Sequence, residues 1–186
     1  EEKILLSYSF FEKKNVISPF KSSKQIFRMV LEKINHLLRY IQINSTFYKN
    51  RLHPHCKIDK LIDIKKLPFT TKDDLAKQNK DFLCVPENEI RDFLTTSGTT
   101  GEPISFYLTR NDLKRLAKNE KNSLEICNVN KGDKILLTTT IDKCFMAGLA
   151  YYLGSQKLEV GVIRTGPGNI KYQWDMIERF RPEIII

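Results

Sequence analysis

Apolar residues recur at steps of three and four in the first third of the chain. The positions that share this spacing are Ile26, Phe27, Val30, Leu31, Ile34, Leu37, Leu38 and Ile41. The spacing predicts a helix from about residue 24 to 43 that buries one face, with Ser22 or Ser23 as its N-cap. A second, short helix is predicted over residues 45–52, because Pro54 then turns the chain.

Capping signals indicate two more helices in the middle of the chain. The segment LPFTTKDDL contains a proline turn and then Thr71, which can cap a short helix with Asp74 at the third position after the cap. Thr109 and Asp112 have the same spacing, and the helix that they open is predicted to end near Cys127.

Strand-like and helical runs alternate over the second half of the chain. Extended runs are predicted over residues 90–95, 104–108, 134–139, 160–164 and 183–186. Helical runs are predicted between the last three of them, over residues 143–156 and 170–180. This alternation predicts an α/β fold, with a mostly parallel sheet flanked by helices over residues 90–186.

The N-terminal segment and the rest of the chain differ in character. Residues 1–59 are predicted to be irregular and then helical, packing on the core, whereas residues 60–186 are predicted to be the start of an α/β domain. The chain ends on three isoleucines, which predict a strand with apolar faces. Because an uncovered apolar edge invites aggregation, we expect the sequence to be cut from a longer protein. A terminal strand tucked between neighbours is the alternative.

Composition is that of an ordinary globular protein. Of the 186 residues, 41% are hydrophobic and 28% are charged. No apolar run approaches the roughly 20 residues that cross a bilayer. The N-terminus opens with two acidic residues and lacks the small-residue cleavage pattern of a secretory signal. These features predict a cytoplasmic protein without a membrane partner.

Cysteine usage and charge narrow the function classes further. The four cysteines are scattered without a CxxC pair, which is typical of reduced thiols. His53, His55 and Cys56 offer three metal ligands in close succession, but no fourth ligand follows, so a structural metal is disfavoured. The net charge of +9 is spread along the chain, which disfavours nucleic acid as a partner and suits a polyanionic small ligand.

Residues 95–103, TTSGTTGEP, form the most informative motif. Five hydroxyl side chains within six positions can donate hydrogen bonds to phosphate oxygens, and the glycines let backbone N–H groups approach an anion. The run lacks the GxxxxGK[ST] pattern of the common P-loop. The motif predicts a phosphate-binding loop between two strands. Its composition is equally that of a polar hairpin loop that binds no ligand, so this alternative stays open.

This motif resembles the phosphate loop of the adenylate-forming superfamily, which includes acyl-CoA synthetases, luciferases and peptide-synthetase adenylation domains. LPFTTKDDL upstream resembles a segment of its phenylacetate–CoA ligase branch. Four downstream segments resemble the same branch in order and spacing: YLTRNDL, GDKILLTTT, CFMAGLAYYLG and FRPEIII. The resemblance covers about residues 60–186.

The resemblance implies a ligase that activates a small carboxylic acid with ATP and Mg²⁺ and then transfers the acyl group to CoA. It implies that the outer phosphates of ATP are held by Thr95, Thr96, Ser97, Gly98, Thr99, Thr100 and Gly101. It also implies an acyl pocket walled by Phe145 and shaped by Ala147 and Gly148. An ordinary core aromatic on an amphipathic helix is the alternative for Phe145.

Two positions depart from the family pattern. Ile104 follows the loop's proline where many superfamily members carry lysine, and Glu102 stands where the phenylacetate branch often has lysine. Three hypotheses are therefore kept: a CoA ligase, an adenylating enzyme with another acceptor, and a non-catalytic nucleotide-binding module. The resemblance implies no catalytic residue within this chain, so we expect the chain alone not to catalyse adenylation. The sequence leaves open the identity of the acid and whether the protein is a homodimer.

Overall fold

The computed structural model describes residues 22–96 and 103–186. These residues divide into two compact units. The first contains the described residues up to Asp74 together with Lys80–Cys84, and the second contains the remainder. None of the helices within these described ranges is long and apolar enough to cross a membrane.

The first unit contains two α-helices, α1 (Ser23–Asn44) and α2 (Thr46–Arg51), and a 3₁₀ helix (Leu61–Lys66). A capping box opens α1, because the Ser22 hydroxyl accepts a hydrogen bond from the Gln25 N–H and the Gln25 side chain accepts one from the Ser22 N–H. The predicted first helix and its N-cap are confirmed, but Phe27, Val30 and Leu37, which the spacing assigned to the buried face, are exposed.

One apolar face of α1 packs into the core of the first unit. This core contains Leu38, Leu52 and Ile58, surrounded by Leu31, Ile34, Ile41, Tyr48, Cys56 and Leu67. Asn35 fixes the segment after α2, because its side-chain amide donates to the Ile58 carbonyl and accepts from the Ile58 N–H, both at 2.8 Å. Phe47 of α2 stacks on Phe82 with ring centroids 4.0 Å apart.

The predicted cap at Thr71 is confirmed at the start of α3 (Lys72–Lys77). The Thr71 N–H and hydroxyl both donate to the Asp74 carboxylate at 2.8 Å, and the Asp74 N–H donates to the Thr71 hydroxyl at 3.1 Å. These hydrogen bonds from Thr71, with a smaller contribution from Arg51, lower the pKa of Asp74 below its ordinary value of 3.8. Two short 3₁₀ helices follow, at Asn79–Phe82 and Glu87–Glu89.

In the second unit, the strands on either side of the TTSGTTGEP motif form an antiparallel pair. β1 (Ile90–Thr95) pairs with β2 (Ser105–Thr109), and Thr95 lies opposite Ser105. The two strands form a separate two-stranded sheet. Their short connection explains the direction of pairing, because parallel neighbours need a crossover of a dozen or more residues.

Two helices, α4 (Arg110–Ile126) and α5 (Met146–Leu158), pack closely together. The predicted capping box between Thr109 and Asp112 opens α4. A Cβ at Gly154 of α5 would overlap the Cβ of Glu120 in α4, so a glycine permits the close approach of the helices. The helix α5 begins three residues later than predicted, because Lys143 and Cys144 before it adopt positive φ angles.

Three parallel strands form the sheet of the second unit, in the order β4, β3, β5. They are β3 (Lys134–Leu137), β4 (Gly161–Arg164) and β5 (Ile184–Ile185). The side chains of the central strand, Ile135, Leu136 and Leu137, are each 1% exposed. The helix α5 connects β3 to β4, and α6 (Ile170–Phe180) connects β4 to β5.

The α/β class predicted from the sequence is therefore confirmed, and the helices alternate with the parallel strands as expected. The hairpin is the main difference, since its two strands stay outside the parallel sheet. The predicted boundary near residue 60 and the packing of the N-terminal segment on the core stay predictions.

Candidate functional site

The two described ends of the TTSGTTGEP motif meet at the neck of the β1–β2 hairpin. The Thr96 N–H donates to the Ile104 carbonyl, and the Ile104 N–H donates to the Thr96 hydroxyl oxygen, both at 3.0 Å. Ile104 is only 3% exposed and so anchors the neck in the apolar interior. Thr95 is the last residue of β1. The other predicted phosphate-binding residues lie outside the described residues: Ser97, Gly98, Thr99, Thr100 and Gly101.

Replacing Thr96 with valine should lower the free energy of unfolding by about 1 kcal/mol. The side chain keeps its shape, but the Ile104 N–H loses its acceptor. Thr96→Ser is the matched control, because it retains the oxygen, and it should stay within about 0.5 kcal/mol of the original protein. Urea denaturation followed by circular dichroism measures both, and equal losses would contradict this role of the hydroxyl.

A backbone hydrogen bond joins the base of the motif to the segment that carries Phe145. The Thr96 N–H points to β2, and in an antiparallel strand the preceding N–H points to the opposite edge. There the Thr95 N–H donates to the Cys144 carbonyl at 3.2 Å. The structure therefore brings Thr95 next to the residue that precedes Phe145, about fifty positions further along the sequence.

Phe145 lies at the N-cap of α5 and is 43% exposed. Its N–H donates to the Asp142 carbonyl at 3.2 Å, which closes the turn before the helix. This exposure disagrees with the alternative of a core aromatic and leaves the ring available to a ligand. Ala147, in the first turn of α5, is half-buried.

Gly148 is buried, and its main constraint is close packing. A Cβ at this position would overlap the Thr140 carbonyl oxygen and lie 2.6 Å from the carbonyl carbon and 3.1 Å from the Ile141 nitrogen. The glycine thus lets the loop after β3 lie directly against α5. Its predicted place at the acyl pocket stays a prediction, and the structure shows that it allows the close path of the loop that ends at Phe145.

The loop between β3 and α5 starts at the carboxyl end of the parallel sheet. There the Thr138 hydroxyl donates to the Ile186 carbonyl at 2.7 Å, and the Thr165 hydroxyl donates to the Leu137 carbonyl at 3.3 Å. In open α/β sheets ligands bind outside the carboxyl ends of the strands. The Thr95–Cys144 contact brings the end of β1 to the same loop, so we place the candidate site there.

Thr140 and Asp142 are polar residues of this loop that the sequence analysis did not single out. The Thr140 hydroxyl donates to the Asp142 carboxylate, and Asp142 is exposed. The run of three threonines at the end of a predicted strand was the available signal, because that position is the carboxyl edge of a parallel sheet.

Across residues 22–96 and 103–186, no group of three or more histidine, cysteine or acidic side chains could hold a metal ion. His53, His55 and Cys56 thus form no metal site in the structure. The four cysteines are free thiols, and burial raises the pKa of Cys84 above its ordinary value of 9.0.

Comparison with known proteins identifies relatives in one group of ligases. No family model matches the chain. A phenylacetate–coenzyme A ligase of Pseudomonas putida is 31% identical over 163 residues, which are 84% of this chain and 36% of the relative. One from Thermus thermophilus is 31% identical over 160 residues, which are 83% of this chain and 36% of that relative. These comparisons support the phenylacetate–CoA ligase-like branch of the adenylate-forming superfamily for this segment. It spans about a third of the length of these relatives.

Solved structures agree with this branch at the level of the fold. A 2-hydroxyisobutyryl-CoA ligase, solved with 2-HIB-AMP and CoA, matches with a TM-score of 0.80. The match covers 92% of this chain and 41% of the ligase, at 19% sequence identity. An open conformation of that ligase matches with a TM-score of 0.79. The phenylacetate–CoA ligase-like segment therefore has the fold of the corresponding part of an acid–CoA ligase.

Proposed function

We propose that this chain contributes the phosphate- and acid-binding part of an enzyme that joins a carboxylic acid to CoA. In the first step, a carboxylate oxygen attacks the α-phosphorus of ATP, the bond between the α-phosphorus and the bridging oxygen breaks, and pyrophosphate leaves. In the second step, the CoA thiol loses its proton to solvent, its sulfur attacks the acyl carbonyl carbon, and AMP leaves with the electron pair of the broken acyl–oxygen bond.

The hydrogen bond between the Thr95 N–H and the Cys144 carbonyl carries this proposal. It puts the base of a hydroxyl- and glycine-rich motif beside the segment of Phe145, at the carboxyl edge of the sheet. Adenylation needs the phosphate chain and the carboxylate to be held in line at one place. The motif would bind the phosphates, and the exposed aromatic ring would contact the acid. Because one backbone contact joins their segments, the two together would meet this requirement.

Residues of the motif would bind phosphate oxygens through hydroxyl and backbone N–H groups. The proposed set is Thr95, Thr96, Ser97, Gly98, Thr99, Thr100 and Gly101. Because the charge on the phosphates grows as pyrophosphate leaves, donors that are already oriented stabilise the transition state. Mg²⁺ would be bound mainly by the phosphates themselves and by water, which suits a site with few carboxylates.

The acid would lie against the ring of Phe145, with Ala147 beside it and Gly148 fixing the loop. Substitution of Phe145 tests this placement of the acid. Phe180 of α6 offers a matched control, because its exposure of 44% is nearly the same as that of Phe145. Phe145→Ala should lower kcat/KM for aryl acids by about tenfold relative to short aliphatic acids, as one lost aromatic contact predicts.

Phe180→Ala is the control and should leave the acid preference unchanged. Steady-state kinetics with one aryl and one short aliphatic acid measure the ratio in each variant. The same change of preference in both variants would contradict the placement of the acid at Phe145.

Product analysis tests the proposed reaction and separates the acceptors. The protein encoded by the complete reading frame is incubated with ATP, Mg²⁺, CoA and a panel of aryl and alkyl acids, and mass spectrometry detects thioester, adenylate and AMP. Acyl-CoA with one particular acid is the expected result. Adenylate that forms without any transfer to CoA would instead indicate another acceptor.

One observation favours a second candidate, a nucleotide-binding module without turnover. At position 104, where many superfamily members carry a lysine, this chain has a buried isoleucine whose backbone closes the hairpin neck. A buried apolar side chain thus stands where those members have a lysine, so the proposed phosphate site has one cation fewer. Binding of Mg-ATP without formation of adenylate from any acid would favour this candidate.

A further inference from the structure

One side of α4 carries a row of basic residues. Arg110, Lys114 and Lys118 follow one another at intervals of four residues, and all three side chains are exposed. Residues four apart are neighbours on one side of a helix and lie about 6 Å apart along its axis. The three cations therefore form one stripe about 12 Å long, which we call the basic stripe.

Acidic side chains do not neutralise the basic stripe. In the part of the chain that the structure describes, none of its three residues forms an ion pair. The acidic residues of α4 are engaged elsewhere, since Asp112 pairs with Arg115 at 2.9 Å. Glu125 pairs with Lys121 at 2.6 Å, and Glu120 faces α5. The stripe therefore presents its full charge to solvent.

The basic stripe makes α4 less stable as a helix. Like charges four residues apart repel each other, and the stripe contains two such pairs. Arg110 also lies in the first turn, where the partial positive charge of the helix N-terminus disfavours a cation. Because all three side chains are exposed, this cost is not offset by burial in the core. A costly surface arrangement that gains nothing in packing is typical of a functional surface.

The surroundings of the basic stripe favour an acidic protein as partner over nucleic acid or a membrane. The helix α4 contains no aromatic residue on which a base could stack. Its leucines, Leu113, Leu116 and Leu124, are buried or half-buried, so they are not available to a bilayer. Carboxylates four residues apart on another helix have the same spacing of about 6 Å as the cations. An acidic helix therefore matches the stripe in sign and in spacing.

We propose that the basic stripe is a docking surface for an acidic helix of another protein. In this arrangement each of the three cations faces a carboxylate at the rim of the contact, where such pairs guide encounter and orientation. The inference goes beyond the proposed function and does not depend on it, because none of the three residues belongs to the candidate site.

Two variants of the protein encoded by the complete reading frame test the proposal. The stripe variant combines Arg110→Gln, Lys114→Gln and Lys118→Gln. The control variant loses the same charge at three other exposed lysines that form no ion pair among the described residues, through Lys24→Gln, Lys49→Gln and Lys171→Gln.

The probes are two labelled helical peptides of the same composition, each about 20 residues long so that the helix forms. One peptide carries its glutamates at every fourth position, on one side of the helix, and the other distributes them around the helix. Fluorescence anisotropy measures the affinity for each peptide at low and at high salt. Thermal unfolding measures the stability of both variants.

The stripe variant should bind the one-sided peptide about tenfold more weakly than the original protein, as the loss of three exposed ion pairs of ordinary strength predicts. The control variant should bind it within about twofold of the original, and the difference between the variants should shrink at high salt. The original protein should prefer the one-sided peptide to the distributed one. The stripe variant should have a Tm at least as high as the original, because the repulsions within α4 are removed.

Equal weakening in both variants, or equal affinity of the original protein for the two peptides, would reduce the effect to net charge and overturn the inference. The same titrations with single-stranded oligothymidylate and with vesicles of anionic phospholipid test the other partners. If either of these depends on the stripe more strongly than the one-sided peptide does, the partner is nucleic acid or a membrane rather than an acidic helix. The rate of adenylate formation should be the same in both variants, so the outcome for the proposed function is read separately.

Discussion

Replacing Gly148 with alanine should destabilise the second unit by at least about 3 kcal/mol, the upper end of the usual cost of overpacking. The added Cβ would overlap the Thr140 carbonyl oxygen and lie 2.6 Å from its carbon. These neighbours are backbone atoms, which cannot move aside as a flexible side chain can. The loop between β3 and α5 would have to shift, and with it the contact between Cys144 and Thr95.

Gly161→Ala is the matched control for this variant. Its Cβ would meet only the Lys134 Cγ at 3.3 Å and the Asp133 carbonyl oxygen at 3.6 Å, and the lysine side chain can adjust. The control should change stability by less than about 1 kcal/mol. Thermal and urea unfolding of both variants measure the difference. A Gly148→Ala protein as stable as Gly161→Ala would contradict the packing of the loop against α5.

Thr99→Ala should lower the rate of adenylate formation by about 10- to 150-fold, if the proposed function holds. Thr99 lies outside the described residues, and the expectation rests on its position in the motif. One lost hydrogen bond to a charged oxygen costs about 1.5–3 kcal/mol, and about 1.4 kcal/mol is a factor of ten. The loss should fall on the step in which pyrophosphate leaves.

Thr99→Ser keeps the hydroxyl and is the control, with an expected rate within about threefold of the original. Rapid-quench measurement of the adenylate separates this step from the transfer to CoA. An unchanged rate in Thr99→Ala would mean that backbone N–H groups, rather than the hydroxyl, hold the phosphates.

Local signals in the sequence were sufficient for most of the elements. The N-cap predicted at Ser22 or Ser23 forms at Ser22, and the caps at Thr71 and Thr109 form as predicted, because each joins groups only three residues apart. The apolar runs of β3 to β5 likewise predicted parallel strands, of which the central strand β3 is buried. Such signals arise from hydrogen bonds and burial within a short stretch of chain. The residues that produce them are therefore close together in the sequence and can be recognised there.

Contacts between distant segments were not predictable in the same way. Nothing local to Thr95 or Cys144 signals that their backbones meet, and the left-handed turn at Lys143 has no glycine to announce it. Gly148 was predicted at the acyl pocket, which stays a prediction, but its close packing against a backbone carbonyl eight residues earlier was not predictable. The antiparallel pairing of the hairpin also depends on the turn between its strands, not on the strands themselves.

Carboxylate-dependent exchange of pyrophosphate into ATP tests the central claim most directly. The measurement compares residues 1–186 with the protein encoded by the complete reading frame, over the same panel of acids. We predict exchange by the complete protein with at least one acid and none by residues 1–186 alone. Exchange by residues 1–186 would contradict the view that this chain supplies only part of the site. A complete protein without exchange for any acid would contradict its proposed role in adenylation.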